Sequence, residues 1–308
     1  MKRVSSIIVV VTLLLCAAYT PANAAAVKDW TVAVFLNADN NLDPFGVEDQ
    51  REMAKVGSSD FLNIVSLIDR EHGPAQINYI EKNNIKKVKD MGEMDMGDYR
   101  QFVAFAKFVK ENYPAKHYCF TIWNHGSGWK NKGTSAIYRG ISYDDSSNNH
   151  ITNAQLGTAV AEVSKILGQK IDILNFDACL MQMVEVAHAV KDNVVYMVAS
   201  EELEPGKGAP YDDILRGVKA GMNAQAYALN WVNAFAKSYN GGSQGFDEST
   251  QSALDMSKFG PVVDSVNGLA KALMTGKNTM IVKAALAKVQ KFGDPGNVDL
   301  VAELLNFG

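Results

Sequence analysis

The length, composition and charge of the chain limit what it can be. Its 308 residues are 47% hydrophobic and 21% charged, which suits one large globular domain or two small ones. The net charge of −4 and the lack of any Lys/Arg block argue against nucleic acid as a partner. Three cysteines are fewer than an exported protein that depends on disulfides usually carries.

The first 24 residues have the pattern of a secretory signal peptide. Lys2 and Arg3 precede an apolar run over 7–18, and Ala22-Asn23-Ala24 is the small-x-small pattern that signal peptidase cleaves. The apolar run is shorter than the about 20 residues of a transmembrane helix. We therefore predict export to a periplasm or to the outside of the cell, with no stable membrane anchor after signal removal. The mature chain from Ala25 has 28 basic and 34 acidic residues.

Alternating strand-like and helix-like segments follow the signal. Apolar, β-branched runs predict strands over 30–37, 62–68, 117–123, 171–176 and 194–199, with a weaker strand over 76–81. Segments with the helical period predict helices over 46–57, 98–112, 153–167, 180–190, 224–238 and 261–273. Thr152 and Gly168 are the predicted cap and stop of the third helix. The alternation predicts an α/β fold whose mostly parallel sheet is covered on both faces.

The pattern changes after residue 200, where the remaining sequence is mainly helical. The glycine-rich run over 240–245 is typical of a flexible linker. We therefore predict one α/β domain over 25–240 and a helical C-terminal region over 241–308. The last amphipathic segment stops abruptly, as it would in a truncated chain.

Two polar clusters follow directly after predicted strands. The first, 123–129, contains His125, and the second, 176–181, contains Cys179. Parallel α/β sheets place their chemistry at the carboxyl ends of strands. A thiolate attacks carbonyl carbon, and a nearby imidazole lowers the pKa of a thiol and protonates the leaving group. We hypothesise that Cys179 is a nucleophile and His125 its base, and that the start of the predicted helix 180–190 favours the thiolate.

These clusters belong to a longer ordered series that resembles the clostripain family of cysteine peptidases, relatives of gingipains, legumains and caspases. The series comprises 30–42, Asn124-His125-Gly126, 140–145, 172–181 and 199–206. The resemblance implies a caspase-like α/β sandwich as the catalytic domain. It also implies His125 and Cys179 as the catalytic dyad, with the amides of Gly126 and Cys179 as the oxyanion hole.

The resemblance further implies polypeptide substrates that are cleaved after Arg or Lys. Asp177 matches the residue that lines the pocket for the basic P1 side chain, where a carboxylate can bind guanidinium bidentately. An Asp that caps the helix 180–190 is the alternative for this position. Lys207, in a loop expected to border the site, would repel a basic P1 residue, and Ala209 stands where relatives often carry Trp.

The resemblance also has implications for activation and for cofactors. Many relatives are zymogens cut in the loop after the catalytic His, and here Lys130, Lys132 and Arg139 are candidate self-cleavage residues; an ordinary solvated loop is the alternative. We expect no cofactor to be required. Calcium supports some members, and Asp144-Asp145 and Asp212-Asp213 offer oxygen ligands without the spacing of a calcium loop.

The sequence leaves other functions open. An inactive family member that serves as an extracellular binding protein is the alternative function. A redox role for Cys119 and Cys179 lacks a Cys-x-x-Cys arrangement, and Cys119 is expected to be buried in its strand. A Cys–His pair can work without a third orienting residue, and Asn175 and Glu201 have no spacing that supports such a role.

Overall fold

A computed structural model of the protein describes residues 26–129, 140–275 and 279–299. The predicted signal peptide and the candidate cleavage residues Lys130, Lys132 and Arg139 lie outside the described residues. In chain order the strands are β1 Lys28–Ala38, β2 Leu62–Arg70, β3 Ala75–Glu81, β4 Asn84–Gly92, β5 Ala115–Trp123, β6 Gly140–Asp144, β7 Asn149–Thr152, β8 Ile171–Asp177, β9 Val194–Ala199, β10 Asn240–Gly242, β11 Gly245–Phe246, β12 Ser252–Asp255, β13 Lys291–Phe292 and β14 Asp294–Val298.

Helices alternate with these strands along the chain. They are α1 Asp43–Val56, α2 Tyr99–Asn112, α3 Asn153–Leu167, α4 Val184–Val190, α5 Tyr211–Gly217, α6 Ala224–Tyr239, α7 Phe259–Thr275 and α8 Thr279–Leu286, with a short 3₁₀ helix at Met256–Lys258. Among the helices in the described ranges, none combines the length and the apolarity needed to cross a bilayer.

One eight-stranded sheet organises the fold, in the order β12-β9-β8-β5-β1-β2-β3-β4. The strands from β9 to β2 in this order pair in parallel, whereas β12, β3 and β4 are antiparallel to their neighbours. The prediction of a mostly parallel α/β sheet is confirmed. Its parallel centre is buried along most of its length, as continuous apolar strands require.

Two apolar layers cover the two faces of the sheet. Because side chains alternate along a strand, Phe35 of β1 packs with α2 and α3 on one face, while Leu36 packs with α1 and α6 on the other. Phe102 and Trp231 are among the largest fully buried side chains of these layers. Burying such a side chain stabilises the fold by about 1.5–3 kcal/mol relative to exposure.

The predicted helix 153–167 is confirmed to the residue because both of its ends are specified locally. Thr152 accepts a hydrogen bond from the amide of Gln155, whose side chain reaches back to complete a capping box. Gly168 ends the helix with φ +73°, a conformation that costs glycine little. Each such cap contributes about 1 kcal/mol.

The predicted helix 180–190 is wrong in its first four residues. Leu180 adopts φ +62°, and α4 begins only at Val184. The reason is tertiary: the amide of Leu180 donates to the carbonyl of Glu202, and the amide of Gln182 donates to that of Ser200. The helix start that was expected next to Cys179 lies at Val184 instead, and Asp177 does not cap that helix.

The sequence beyond residue 240 contributes to the sheet as well as to helices. The predicted linker forms the β10–β11 hairpin, and β12 pairs antiparallel with β9 at the sheet edge. Helices α7 and α8 follow, as the prediction of a helical C-terminal region requires. The division into domains at residue 240 stays a prediction, although β12 ties the second part to the sheet of the first.

Candidate active site

The two polar clusters lie side by side at the carboxyl edge of the sheet. β5 and β8 are adjacent parallel strands, and Trp123 is in register with Asp177 at their ends. His125 follows the end of β5 by two residues, and Cys179 follows the end of β8 by two residues. The two segments therefore leave the sheet at the same level, which is the placement that the strand-end rule predicts.

Gly126 brings these two segments into direct contact. A Cβ atom added at Gly126 would lie 2.3 Å from the carbonyl oxygen of Cys179 and 3.1 Å from the Cβ of Ala178. The backbones are thus packed against each other with no space for a side chain, which is the use of glycine at a close approach. The two residues whose amides are the predicted oxyanion donors are neighbours in space.

Asn124 anchors the histidine segment to three strands, β8, β1 and β6. Its amide donates to the carbonyl of Asp177 over 3.2 Å, and its Nδ2 donates to the carbonyl of Asn37 over 2.6 Å. Its Oδ1 accepts from the amide of Tyr143 over 2.7 Å. Each buried hydrogen bond contributes about 1 kcal/mol, and the loss of Asn124 would leave several buried partners unsatisfied. The position of the His125 backbone is therefore fixed.

The His125 ring is half-buried and makes one hydrogen bond to a side chain. Its Nε2 lies 2.8 Å from Oδ1 of Asn41, whereas Nδ1 has no hydrogen-bond partner in the described part of the chain. Burial lowers the pKa of His125, and the nearby carboxylate of Asp145 opposes that shift. The ring is therefore held in a state that can accept a proton at neutral pH.

Cys179 is a free, half-buried thiol at a sharp turn of the backbone. The amide of Glu204 donates to its Sγ over 3.3 Å. The following residue, Leu180, has the left-handed conformation that non-glycine residues seldom adopt. The turn therefore begins directly after β8 and contains Cys179.

Cys119 differs from Cys179 in its exposure to solvent. It is a free thiol within β5 with no exposed surface, and burial raises the pKa of this thiol. A buried neutral thiol is inert. The expectation of a buried Cys119 is confirmed, and because both cysteines are free, no disulfide joins them.

Asp177 is buried beneath the segment 208–211, and its oxygens already have donors. Oδ1 accepts from the amide of Ala209 over 3.1 Å, and Oδ2 accepts from the hydroxyl of Tyr211 over 2.8 Å. Burial raises the pKa of Asp177, and these hydrogen bonds act in the opposite direction. In this structure Asp177 thus holds the start of α5. Its role in a P1 pocket stays a prediction.

Glu204 brings a second carboxyl group to the site, and no pattern in the sequence predicts it. Its Oε1 is buried, close to the carboxyl of Asp177 and the side chain of Gln251. Burial raises the pKa of Glu204 well above its usual value, and the Asp177 carboxylate raises it further. Two carboxyl groups this close in a buried site disfavour a negative charge on both at once.

The other residues considered for the site have partners elsewhere. Lys207 is exposed and its Nζ donates to the carbonyl of Gln244 over 3.2 Å, in the β10–β11 hairpin. Glu201 accepts a hydrogen bond from the hydroxyl of Ser252. Asn175 is buried within β8. Neither Glu201 nor Asn175 is bonded to the His125 ring, whose side-chain partner is Asn41.

The acidic pairs considered for calcium bind other parts of the chain. The Asp144 carboxylate accepts from the amides of Met96 and Ser147, over 2.9 and 2.8 Å. Asp212 forms an ion pair with Arg216 over 2.7 Å. Within the described ranges, no three His, Cys, Asp or Glu side chains are arranged to hold one metal ion. A calcium requirement stays a prediction.

Comparison with known proteins gives this site a context. The model of the clostripain family matches residues 34–301. Clostripain of Hathewaya histolytica is 30% identical over 224 residues, which are 62% of this chain. The chain spans only 42% of the length of that clostripain.

Solved structures show the same fold. A secreted C11 cysteine protease from Bacteroides thetaiotaomicron, in complex with an irreversible peptide inhibitor, is 22% identical with a TM-score of 0.69, covering 91% of this chain and 78% of its own. An inactive zymogen C11 protease from Parabacteroides distasonis is 18% identical with a TM-score of 0.68, covering 92% and 78%. These similarities confirm the expected caspase-like α/β architecture. The family model covers most of the chain, including both polar clusters, and the chain belongs to the clostripain family of cysteine peptidases.

Proposed function

We propose that this protein is an exported cysteine endopeptidase of the clostripain type, which hydrolyses polypeptides after Arg or Lys. The observation that carries the proposal is the backbone contact between the His125-Gly126 segment and Cys179 at the ends of two adjacent parallel strands. Membership of the clostripain family supports the reaction class. The signal-like N-terminus and the secreted relative support export.

The chemistry proceeds through an acyl-enzyme on Cys179. The sulfur bonds to the scissile carbonyl carbon, and the amides of Gly126 and Cys179 stabilise the oxyanion, each donor contributing about 3 kcal/mol. The carbon–nitrogen bond then breaks while His125 protonates the leaving amine. His125 next takes a proton from water, whose oxygen attacks the thioester and releases the acid and the thiol. Both reacting groups are side chains, so we propose no cofactor for these steps.

The carboxyl pair Asp177–Glu204 supports the preference for a basic P1 residue. Both groups lie beside Cys179, and burial raises the pKa of each. A guanidinium or ammonium group that entered there would give these two carboxyl groups a positive partner. The Nζ of Lys207 donates to the carbonyl of Gln244, and its positive charge stays an argument against a basic P1 side chain.

Fluorogenic peptides that differ only at P1 test the proposed function. Under reducing conditions we expect kcat/KM for Arg and Lys to exceed that for the uncharged isostere citrulline by about 100-fold, the value of a buried charge pair. Equal rates for Arg and citrulline would remove the P1 preference alone. No turnover of any peptide, together with no labelling of Cys179 by a peptidyl chloromethyl ketone, would favour the alternative of an inactive binding protein.

We also propose that the protein cuts itself within the segment 130–139, after Lys130, Lys132 or Arg139. The zymogen relative supports a latent form in this family. Purified wild-type protein should then give two fragments by mass spectrometry, while Cys179→Ala and the triple variant Lys130→Gln, Lys132→Gln, Arg139→Gln stay intact. Identical intact masses for wild type and Cys179→Ala would remove self-cleavage without affecting the peptidase proposal.

A further inference from the structure

We propose that Asn41 is a positioning residue, whose side-chain oxygen fixes the His125 ring so that Nδ1 exchanges protons with Cys179 and the substrate. This inference rests on the proposed function. Its basis is the hydrogen bond of 2.8 Å between Nε2 of His125 and Oδ1 of Asn41. No such residue was predicted from the sequence.

The backbone around Asn41 is held from several directions. The amide of Asn40 donates to the carbonyl of Ala38, and Oδ1 of Asn40 accepts from the amide of Leu42 over 2.9 Å. Nδ2 of Asn40 donates to the carbonyl of Tyr143 over 2.9 Å. Tyr143 is also bonded to Asn124, the residue before His125. The backbone segments that carry Asn41 and His125 are therefore joined by one hydrogen-bond network.

The hydrogen bond to Asn41 determines which nitrogen of the neutral His125 ring carries the proton. An amide oxygen can only accept, so the Nε2 of His125 must donate and carries the proton in the neutral ring. The lone pair of a neutral ring is then on Nδ1, which is not bonded to any described residue. Nδ1 is the atom that takes the proton of the thiol. A Cys-His-Asn arrangement with these roles has arisen on an unrelated peptidase fold.

Because Asn41 is exposed, its replacement should change the rate of catalysis without changing the stability of the fold. Asn41 is exposed, so its hydrogen bond to His125 competes with water and contributes little to folding. The same bond decides the rotation of the ring and which nitrogen is protonated. Losing it should therefore lower the rate of catalysis while the melting temperature stays close to that of wild type.

The charged surroundings of the ring give the proposal a pH signature. Asp145, in the turn between β6 and β7, is the charged side chain that acts on His125 in the described structure. A carboxylate in place of Asn41 would add a second negative charge and favour the imidazolium. Asn41→Asp should move the alkaline limb of the kcat/KM profile to higher pH, and Asn41→Ala should move it to lower pH.

The test measures kcat/KM against pH and, independently, the rate at which iodoacetamide alkylates Cys179, quantified on the Cys179 peptide. Asn41→Ala should lower kcat/KM by about 10- to 100-fold, since small misplacements of a catalytic group have effects of this size. Asn41→Asp keeps the acceptor and should recover most of the activity. The control is Asn233→Ala, at an exposed position on α6, which should match wild type.

Two results would overturn the inference. One is an Asn41→Ala protein whose kcat/KM and alkylation profile superimpose on wild type. The other is an equal loss in Asn41→Ala and Asn41→Asp with unmoved pH limbs, which would mean a structural role for the loop alone. Alkylation requires no peptide substrate. A protein without peptidase activity whose alkylation profile still shifts with Asn41 would refute the proposed function and support the coupling of Asn41, His125 and Cys179.

Discussion

Cys179→Ala is expected to lower kcat/KM for peptide substrates by at least about 10⁴-fold, because it removes the atom that forms the acyl-enzyme in the proposed mechanism. His125→Ala should cause a loss of similar size, since the thiol then has no base and the leaving amine no acid. The double variant should be no worse than the poorer single variant. Residues that act as one unit show this strong non-additivity.

Cys119→Ala is the matched control for this series, because it removes the other thiol of the described structure. Cys119 has no exposed surface and lies within β5, so its loss should reduce stability slightly and leave kcat/KM close to wild type. Melting temperatures of Cys179→Ala and His125→Ala should stay near that of wild type, as both side chains are only half-buried. Losses that multiply in the double variant would contradict a dyad, because they would mean that the two residues act independently.

The architecture of this protein is largely encoded in local patterns. Buried parallel strands require continuous apolar runs, so β1, β5 and β8 were predictable from composition alone. Helix α3 was predictable at both ends because a capping box and a left-handed glycine specify them. The positions of His125 and Cys179 followed from the rule that chemistry gathers at strand ends.

The details that distinguish this site depend on contacts between distant segments. Residues 180–183 have helical periodicity, yet the amides of Leu180 and Gln182 donate to carbonyls that follow β9, and these bonds outweigh helix propensity. Glu204 comes close to Asp177 because the loop after β9 returns to Cys179, and no spacing in the sequence predicts this proximity.

Asn41 is an intermediate case. It follows β1 just as His125 follows β5, and these strands are adjacent in the sheet. The strand-end rule therefore places Asn41 near the site, but three neighbouring polar residues, Asp39 to Asn41, share that placement. Only the hydrogen bond to His125 identifies which of them reaches the ring.

Gly126→Ala should produce the second large effect, a fall in kcat/KM of about 10²- to 10³-fold. Its Cβ would lie 2.3 Å from the carbonyl oxygen of Cys179, so one of the two segments must move. That movement displaces the predicted oxyanion donors, whose individual loss costs about 10²- to 10³-fold in other peptidases. Overpacking of this kind also lowers the free energy of unfolding by about 1–3 kcal/mol, which calorimetry would detect.

Gly206→Ala provides the control for a glycine in the same region. The nearest atom to its added Cβ is Cζ of Phe45 at 3.9 Å, so this variant should keep wild-type activity and stability. Alkylation by iodoacetamide separates the two ways in which Gly126→Ala could act. The reagent reacts at a saturated carbon and forms no oxyanion, so alkylation of Cys179 should fall far less than kcat. An equal fall in both rates would show that the substitution had disturbed the thiol and imidazole themselves, and the assignment of Gly126 to the oxyanion hole would be wrong.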